Sequence, residues 1–296
     1  MFDKIAIVYS PHTRRVTVDD GSVGSDAFSN ASHISSIINK LNSPMFCKYF
    51  KCGRILKDDT DYDYHLVERD IGTLTDLAKH KRFEKCRVPS KVEIDDKILF
   101  LSIIKAEIVQ KILSSLVLQL DILQKTMEFR GGGLTKDHLA LYENNEVKIK
   151  NFTTCSANDG VNRFYPNAVL SGFYSQLFKI DTATETYKLN RFLFDWQILA
   201  LCRYSKVPYF ESFDYYTMLI SILGIPEFFY TFFSSQLLKC MFWDSVFSED
   251  DNEIVYLRLK NLIGKNKEVT QTEIFDILDG VELQTTILTH IMNLMT

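Results

Sequence analysis

The chain has 296 residues, of which 46% are hydrophobic and 24% are charged, and its formal net charge is −4 with an isoelectric point near 5.9. This length fits one two-lobed domain or two small ones, and the composition is that of a globular protein able to bury a core. So mild a charge gives no indication of a nucleic-acid partner or a membrane surface.

Aromatic residues are abundant, with 22 Phe and 14 Tyr against 12 Gly and 6 Pro. Together with many Lys, Ile and Asn residues, this bias is typical of AT-rich coding, as in a large DNA virus or an intracellular parasite. The six cysteines are scattered and form no C-x-x-C pair. We therefore expect free thiols in the cytoplasm or nucleus, or in a virion, with no metal site and no cofactor.

Two apolar stretches raise the question of a membrane or a leader. The apolar run near the N-terminus is too short for the core of a signal peptide. The run from Tyr215 to Leu238 is longer, but Gly224 and Pro226 interrupt it. Two buried helices are therefore expected there in place of a membrane span.

The first part of the chain reads as strands with one helix. Short β-branched runs at 4–9 and 14–18 predict strands, and apolar residues at helical spacing predict a helix over 27–41. Further strands are predicted at 45–55 and 63–68.

A short helix is predicted to open at Gly72, and the basic run 79–92 looks like a surface insertion. The longest helical pattern covers 95–128, where apolar residues recur at steps of three and four. An apolar stripe of this width is typical of a helix at the centre of a helical domain.

The most informative stretch is 134–153, which predicts a strand, a turn at Glu143 to Asn145 and a second strand. After an irregular stretch, residues 190–296 are mostly helical in pattern. Strands followed by helices predict an α+β fold with segregated halves.

This order of elements resembles the protein-kinase fold over nearly the whole chain. The resemblance implies a reduced N-lobe over 1–75, a helical C-lobe over 76–296 and a catalytic hairpin over 131–153. The helix 27–41 would correspond to helix αC, and the long helix within 95–128 to helix αE.

The segment from Tyr64 to Leu74 resembles the last N-lobe strand and the hinge of a kinase. On this resemblance Val67 takes the gatekeeper position. The backbone of the hinge residues Glu68, Arg69 and Asp70 would then face an adenine.

The kinase catalytic loop, H-R-D-x-x-x-x-N, falls on residues 131–138, and the D-F-G triplet falls on residues 151–153. The resemblance implies that the catalytic base has become Gly133 and that the two metal-binding residues have become His138 and Asn151. These residues provide neither a base nor a good magnesium ligand, so no catalytic or metal-binding residue is predicted.

The nucleotide-binding elements of the N-lobe are also degraded. No G-x-G-x-x-G loop occurs before residue 20. The lysine of the third kinase strand would lie near Arg15 or Tyr9, and both assignments stay open. The αC glutamate would fall within 34–36, where the residues are Ile, Ser and Ser.

One structural residue of the family, an aspartate on helix αF, has two candidates. It supports the catalytic loop by accepting backbone N–H groups. Asp195 is preferred because it lies closer in sequence to the hairpin, and Asp214 is the rival. The glycines at 131–133 lack the register of a phosphate-binding loop and predict a turn with positive φ angles.

The resemblance implies a pseudokinase, a kinase-like scaffold, regulator or structural component that binds other proteins and no nucleic acid. The partner would be an active kinase, or a virion or other assembly, bound through exposed aromatic segments after residue 205. One alternative is an atypical kinase-fold transferase that recruits Lys136, Asp137 and Asp159. Another is a helical viral structural protein whose likeness to kinases is accidental.

Overall fold

The computed structural model describes residues 5–11, 27–57, 59–79, 87–94, 97–152, 155–161, 163–164, 212–264 and 269–296. Within these ranges the protein is α+β, as predicted, with small antiparallel sheets and a mainly helical C-terminal part. The strands are β1 (Ile5–Pro11), β2 (Tyr49–Lys57), β3 (Thr60–Glu68), β4 (Arg87–Ile94), β5 (Lys97–Ile104), β6 (Leu139–Leu141), β7 (Val147–Ile149), β8 (Ala157–Asn158) and β9 (Arg163–Phe164). The helices are α1 (Ala27–Lys40), α2 (Leu74–Lys79), α3 (Ala106–Met127), α4 (Phe213–Leu223), α5 (Pro226–Ser234), α6 (Gln236–Phe242), α7 (Glu249–Gly264), α8 (Gln271–Leu278) and α9 (Ile287–Met295).

The first sheet has three antiparallel strands in the order β1-β3-β2. In its register, Val67 of β3 lies opposite Ala6 on one side and Tyr49 on the other. Three of the four predicted N-terminal strands are therefore confirmed, with shifted ends. The fourth, at 14–18, lies outside the described residues.

Helix α1 packs against this sheet through its apolar face, on which Ile34 and Ile38 are buried. The side-chain amide of Asn39 joins its C-terminal end to β2. Asn39 Nδ2 donates to the Tyr49 carbonyl at 2.5 Å, and the Tyr49 N–H donates to Asn39 Oδ1 at 3.2 Å. These contacts fix the helix against the start of the strand.

The prediction of one helix over 95–128 is wrong in its first third. Residues 97–104 form β5, which pairs with β4. Most of β4 lies in the segment 79–92, which was expected to be a surface insertion. A nearly continuous apolar run fits a strand as well as a helix turn, so pairing with β4 decided the outcome. The Thr231 hydroxyl of α5 donates to the Ile104 carbonyl at 2.8 Å and ties the hairpin to the helices.

Helix α3 is the central helix, as predicted. It buries a continuous apolar face against the rest of the core and ends at Glu128, which adopts a left-handed φ of 46°. Its buried Gln119 side chain holds the backbone of β7. The Gln119 amide donates to the Val147 carbonyl at 2.8 Å and accepts the Ile149 N–H at 2.9 Å.

The two buried helices expected over Tyr215–Leu238 are confirmed by α4 and α5, but the exposed aromatic segments expected after residue 205 do not occur among the described residues from 212 onwards. All of α4 is buried, and the aromatic rings of α5 and α6 pack against it and against each other. Burying large rings is the strongest apolar contribution available to this core. The buried aromatic residues include Phe213, Tyr215, Tyr216, Phe228, Phe229, Phe232, Phe242, Trp243 and Phe247.

Within the described ranges, no single helix combines the length and apolar composition required to cross a membrane. Helices α4 and α5 satisfy the criteria when taken together, but they are bent by 103° at the break between them. Both helices contribute to the core described above.

Candidate functional site

The predicted hairpin lies at the centre of the candidate site. Strands β6 and β7 pair antiparallel, with Leu139 opposite Ile149. The turn between them has left-handed φ angles of 60° at Asn144 and 59° at Asn145, a conformation that asparagine adopts more readily than most residues. The strand-turn-strand prediction for this segment is confirmed.

The glycine segment before the hairpin is held by one buried carboxylate. Asp214 of α4 is fully buried, and its Oδ2 accepts the Gly131 N–H at 2.6 Å while its Oδ1 accepts the Gly133 N–H at 3.1 Å. Asp214, the rival candidate, thus has the contacts that were expected of Asp195. Asp195 lies outside the described residues.

Two opposing effects act on the ionisation of Asp214. Burial raises the pKa of this carboxyl to about 7. The N–H groups of Gly131, Gly133 and Leu134 act in the other direction, because they stabilise the carboxylate. The removal of the group from water is the larger effect.

The glycine turn has the expected positive φ angles, 70° at Gly132 and 91° at Gly133. Gly131 is required for a different reason, namely close packing. A Cβ atom at that position would lie 2.5 Å from Leu134 Cγ and 2.8 Å from Asp214 Oδ1. The loop is therefore fixed in place without presenting a side chain.

His138 is used inside the loop. It is only 7% exposed, and its Nδ1 accepts the Thr135 N–H at 3.1 Å, which leaves the proton on Nε2 in the neutral tautomer. Burial lowers the pKa of His138 and favours this neutral form. The contact with Thr135 closes the turn.

Asn151 is exposed and has a left-handed φ of 65°. Its backbone and the Ser35 side chain of α1 both form hydrogen bonds with the Tyr49 hydroxyl, whose pKa is raised by burial. The next residue, Phe152, is buried between the rings of Tyr49 and Phe129, with ring centroids about 6 Å away. This aromatic cluster connects α1, β2 and the end of the hairpin.

Two ion pairs join the predicted hinge to the hairpin. Lys148 Nζ of β7 lies 2.9 and 3.0 Å from the two carboxylate oxygens of Glu68, and Lys150 Nζ contacts Asp70. The Lys148 side chain is 6% exposed and lies over the Tyr142 ring at 4.6 Å. Neither lysine belongs to a motif that the sequence singles out.

Side chains of the sheet and the hairpin pack together in a small cluster. Val67, at the predicted gatekeeper position, belongs to a small apolar cluster with Cys47, Ala140 and Tyr142. The Tyr142 hydroxyl donates to Cys47 Sγ at 3.1 Å, and burial raises the pKa of the Cys47 thiol. A buried thiol held in this way is a packing group, because its reactive thiolate form is disfavoured.

Neither candidate for the lysine of the third kinase strand gains support. Tyr9 lies on β1 opposite Tyr64, and Arg15 lies outside the described residues. The seven residues of β1 contain no lysine or arginine. Val8, which shares a face of the strand with Ala6, is 50% exposed.

The residues suggested for an atypical transferase are Lys136 and Asp137, in the loop before β6, and Asp159, which follows β8. Asp137 and Asp159 are both exposed. Burial lowers the pKa of His33 on α1, and the negative charge of Asp159 has a smaller effect that raises it. The Lys136 N–H donates to the Ser221 hydroxyl at 2.7 Å. In the described ranges there is no group of three or more His, Cys, Asp or Glu residues that could hold a metal ion.

Comparison with protein-family models and with curated proteins finds no match to this chain. The interpretation of the site therefore depends on its own geometry.

Proposed function

We propose that the chain is a pseudokinase, a kinase-like domain that acts by binding other proteins and carries out no phosphoryl transfer. The observation that carries this proposal is the contact of Asp214 with the N–H groups of Gly131 and Gly133. A helix aspartate supports the loop, while glycine stands at the position that the resemblance assigns to the catalytic base.

The arrangement of the N-terminal elements supports the proposal. Helix α1 lies between β1 and β2 in the chain, and β3 lies between the same two strands in the sheet. From β3 the chain runs into α2 and touches the hairpin through its backbone. The Ile71 N–H donates to the Leu141 carbonyl at 2.8 Å, and the Leu141 N–H donates to the Gly72 carbonyl at 2.9 Å. These contacts suit a hinge that lies against the floor of a cleft.

The chemistry of the site supports loss of catalysis. Phosphoryl transfer requires a base or an orienting group near the acceptor hydroxyl, together with ligands for magnesium. At the corresponding positions stand Gly133, the neutral and buried His138, and Asn151, whose amide is a weak ligand for a hard cation.

The contacts at the hinge argue against nucleotide binding. An adenine at the hinge would require access to the backbone near Glu68 and Asp70. Both of these side chains are paired with lysines of the hairpin, and the apolar cluster around Val67 fills the space behind them. A nucleotide would have to separate these ion pairs. Its phosphates would then find no lysine or arginine on β1.

A thermal-shift measurement with and without ATP, in the presence of magnesium or manganese, tests the proposal. We expect no metal-dependent change in the unfolding temperature. A clear shift that requires the metal, accompanied by transfer of labelled phosphate or nucleotide to any protein substrate, would instead support the atypical transferase. The binding partner that we propose is an active kinase or a component of a virion or other assembly.

A further inference from the structure

Strand β2 forms one edge of the three-stranded sheet. One side of β2 pairs with β3. Among the residues described here, no strand pairs with the other side of β2. Alternate residues of such an edge direct their N–H and C=O groups outward, where they can pair with an added strand. The edge extends over Tyr49–Lys57 and is almost entirely exposed.

At the start of this edge, the backbone of Tyr49 is already paired with a side-chain amide, which has the same hydrogen-bonding groups as a peptide. The Asn39 amide both donates to the Tyr49 carbonyl and accepts the Tyr49 N–H. This pair of bonds is the one that a residue of an antiparallel neighbour would make. In the part of the chain that the structure covers, no side chain makes the same pair of bonds with Cys52 or Leu56.

Exposed cations line the edge at every third position, namely Lys48, Lys51, Arg54 and Lys57. Because side chains alternate along a strand, Lys51 and Lys57 share one face of the sheet and Arg54 lies on the other. A strand added at this edge would therefore meet the positive charges of Lys51 and Lys57 on one face, while on the other face Arg54 lies opposite Asp63 of β3.

Exposed apolar side chains lie between the cations. Phe50 is 52% exposed, Ile55 is 42% exposed and Leu56 is 65% exposed. Single exposed apolar residues are ordinary, but three on one edge strand provide contact area for alternate side chains of a neighbour.

We propose that the outer edge of β2 binds an extended acidic segment of a partner protein as an additional strand. The backbone supplies hydrogen bonds, the cations select acidic side chains, and Phe50 and Leu56 contact apolar residues between them. The proposal deepens the proposed function by naming the chemistry of the partner.

A second copy of this chain fits the edge poorly. Pairing of two β2 edges would place rows of lysine and arginine side by side, and like charges on neighbouring strands are destabilising. Lysines on an edge protect it from such self-pairing. The same positive charge that repels another β2 attracts an acidic strand.

Fluorescence anisotropy with the full chain and a short blocked peptide that alternates glutamate with valine tests the proposal. The variant is K51E/K57E, and the matched control is K105E/K260E, which makes the same change in net charge at exposed positions elsewhere. We expect wild type and control to bind the peptide and the K51E/K57E affinity to fall by about tenfold or more. Hydrogen exchange should show that the peptide protects amides within β2.

Several results would overturn the proposal. One is an absence of binding to the acidic peptide, and another is equal binding of a peptide in which every backbone nitrogen is N-methylated. Tighter binding of a single-stranded oligonucleotide than of the peptide, lost in K51E/K57E, would assign the edge to nucleic acid. Metal-dependent transfer of phosphate from ATP would contradict the pseudokinase proposal alone, so the two failures are distinguishable.

Discussion

The carboxylate of Asp214 accepts the backbone N–H of Gly131 at 2.6 Å, although the two residues are 83 positions apart in the chain. This contact joins a fully buried helix to the glycine segment that precedes the hairpin. Because the segment has no side chains of its own, its shape depends on Asp214 and on the packing of Leu134.

Replacement of Asp214 by alanine should destabilise the protein by about 2–5 kcal/mol, because each buried donor left unpaired costs about 1–3 kcal/mol. Chemical denaturation measures the loss. The control is Asp137→Ala, an exposed position in the same loop, which should change the stability by less than about 0.5 kcal/mol. Equal effects of the two substitutions would show that the contact with the glycine segment contributes nothing.

The pKa of Asp214 predicts how its contribution to stability varies with pH. In the folded protein the pKa is raised from 3.8 to about 7, so folding favours the protonated form. This contribution is fully present below the unfolded pKa and is lost as the pH rises through the folded pKa. We therefore expect the stability advantage of wild type over Asp214→Asn to be largest near pH 3.8 and to decline towards pH 7. An advantage that grows over the same range would show that the N–H donors hold the group ionised.

Replacement of Gly131 by alanine should cost about 1–3 kcal/mol, as overpacking of a filled site does. The added methyl group would meet Leu134 and Asp214 well inside contact distance. Gly264→Ala is the control, since at the end of α7 a Cβ has no atom within 4 Å and the change should be close to neutral. An unfolding midpoint unchanged in both variants would contradict the packing described for the loop.

The ion pair between Lys148 and Glu68 should matter more than an exposed pair. Lys148→Met leaves the partly buried Glu68 without its partner and should cost about 2 kcal/mol. The matched control is Lys260→Met, an exposed lysine of α7, which should change the stability by less than about 0.5 kcal/mol. If both substitutions have the same small effect, β3 and the hairpin are not held together by this pair.

The hairpin and the N-terminal helix could be predicted from the sequence because their signals are local. The turn residues Asn144 and Asn145 tolerate left-handed φ angles, and alternating apolar residues mark the strands on either side. Helix α1 ends at Lys40, one residue before the predicted end. Signals of this kind do not depend on distant parts of the chain.

The misjudged features depend on contacts between distant residues. Sequence distance favoured Asp195 over Asp214, but the packing of α4 brings Asp214 to the glycine segment. The apolar run of β5 is compatible with helix or strand, and only its partner β4 distinguishes the two. The ion pairs of Lys148 and Lys150 could not be predicted, because nothing in a single sequence shows that these lysines lie next to Glu68 and Asp70.

Isothermal titration calorimetry of the purified chain with magnesium and ATP tests the central claim most directly. We predict no binding heat above that of dilution, because Glu68 and Asp70 are paired with lysines, and the positions that the proposal assigns to metal binding hold His138 and Asn151. Saturable, magnesium-dependent binding that is lost on substitution of Asn151 would contradict it.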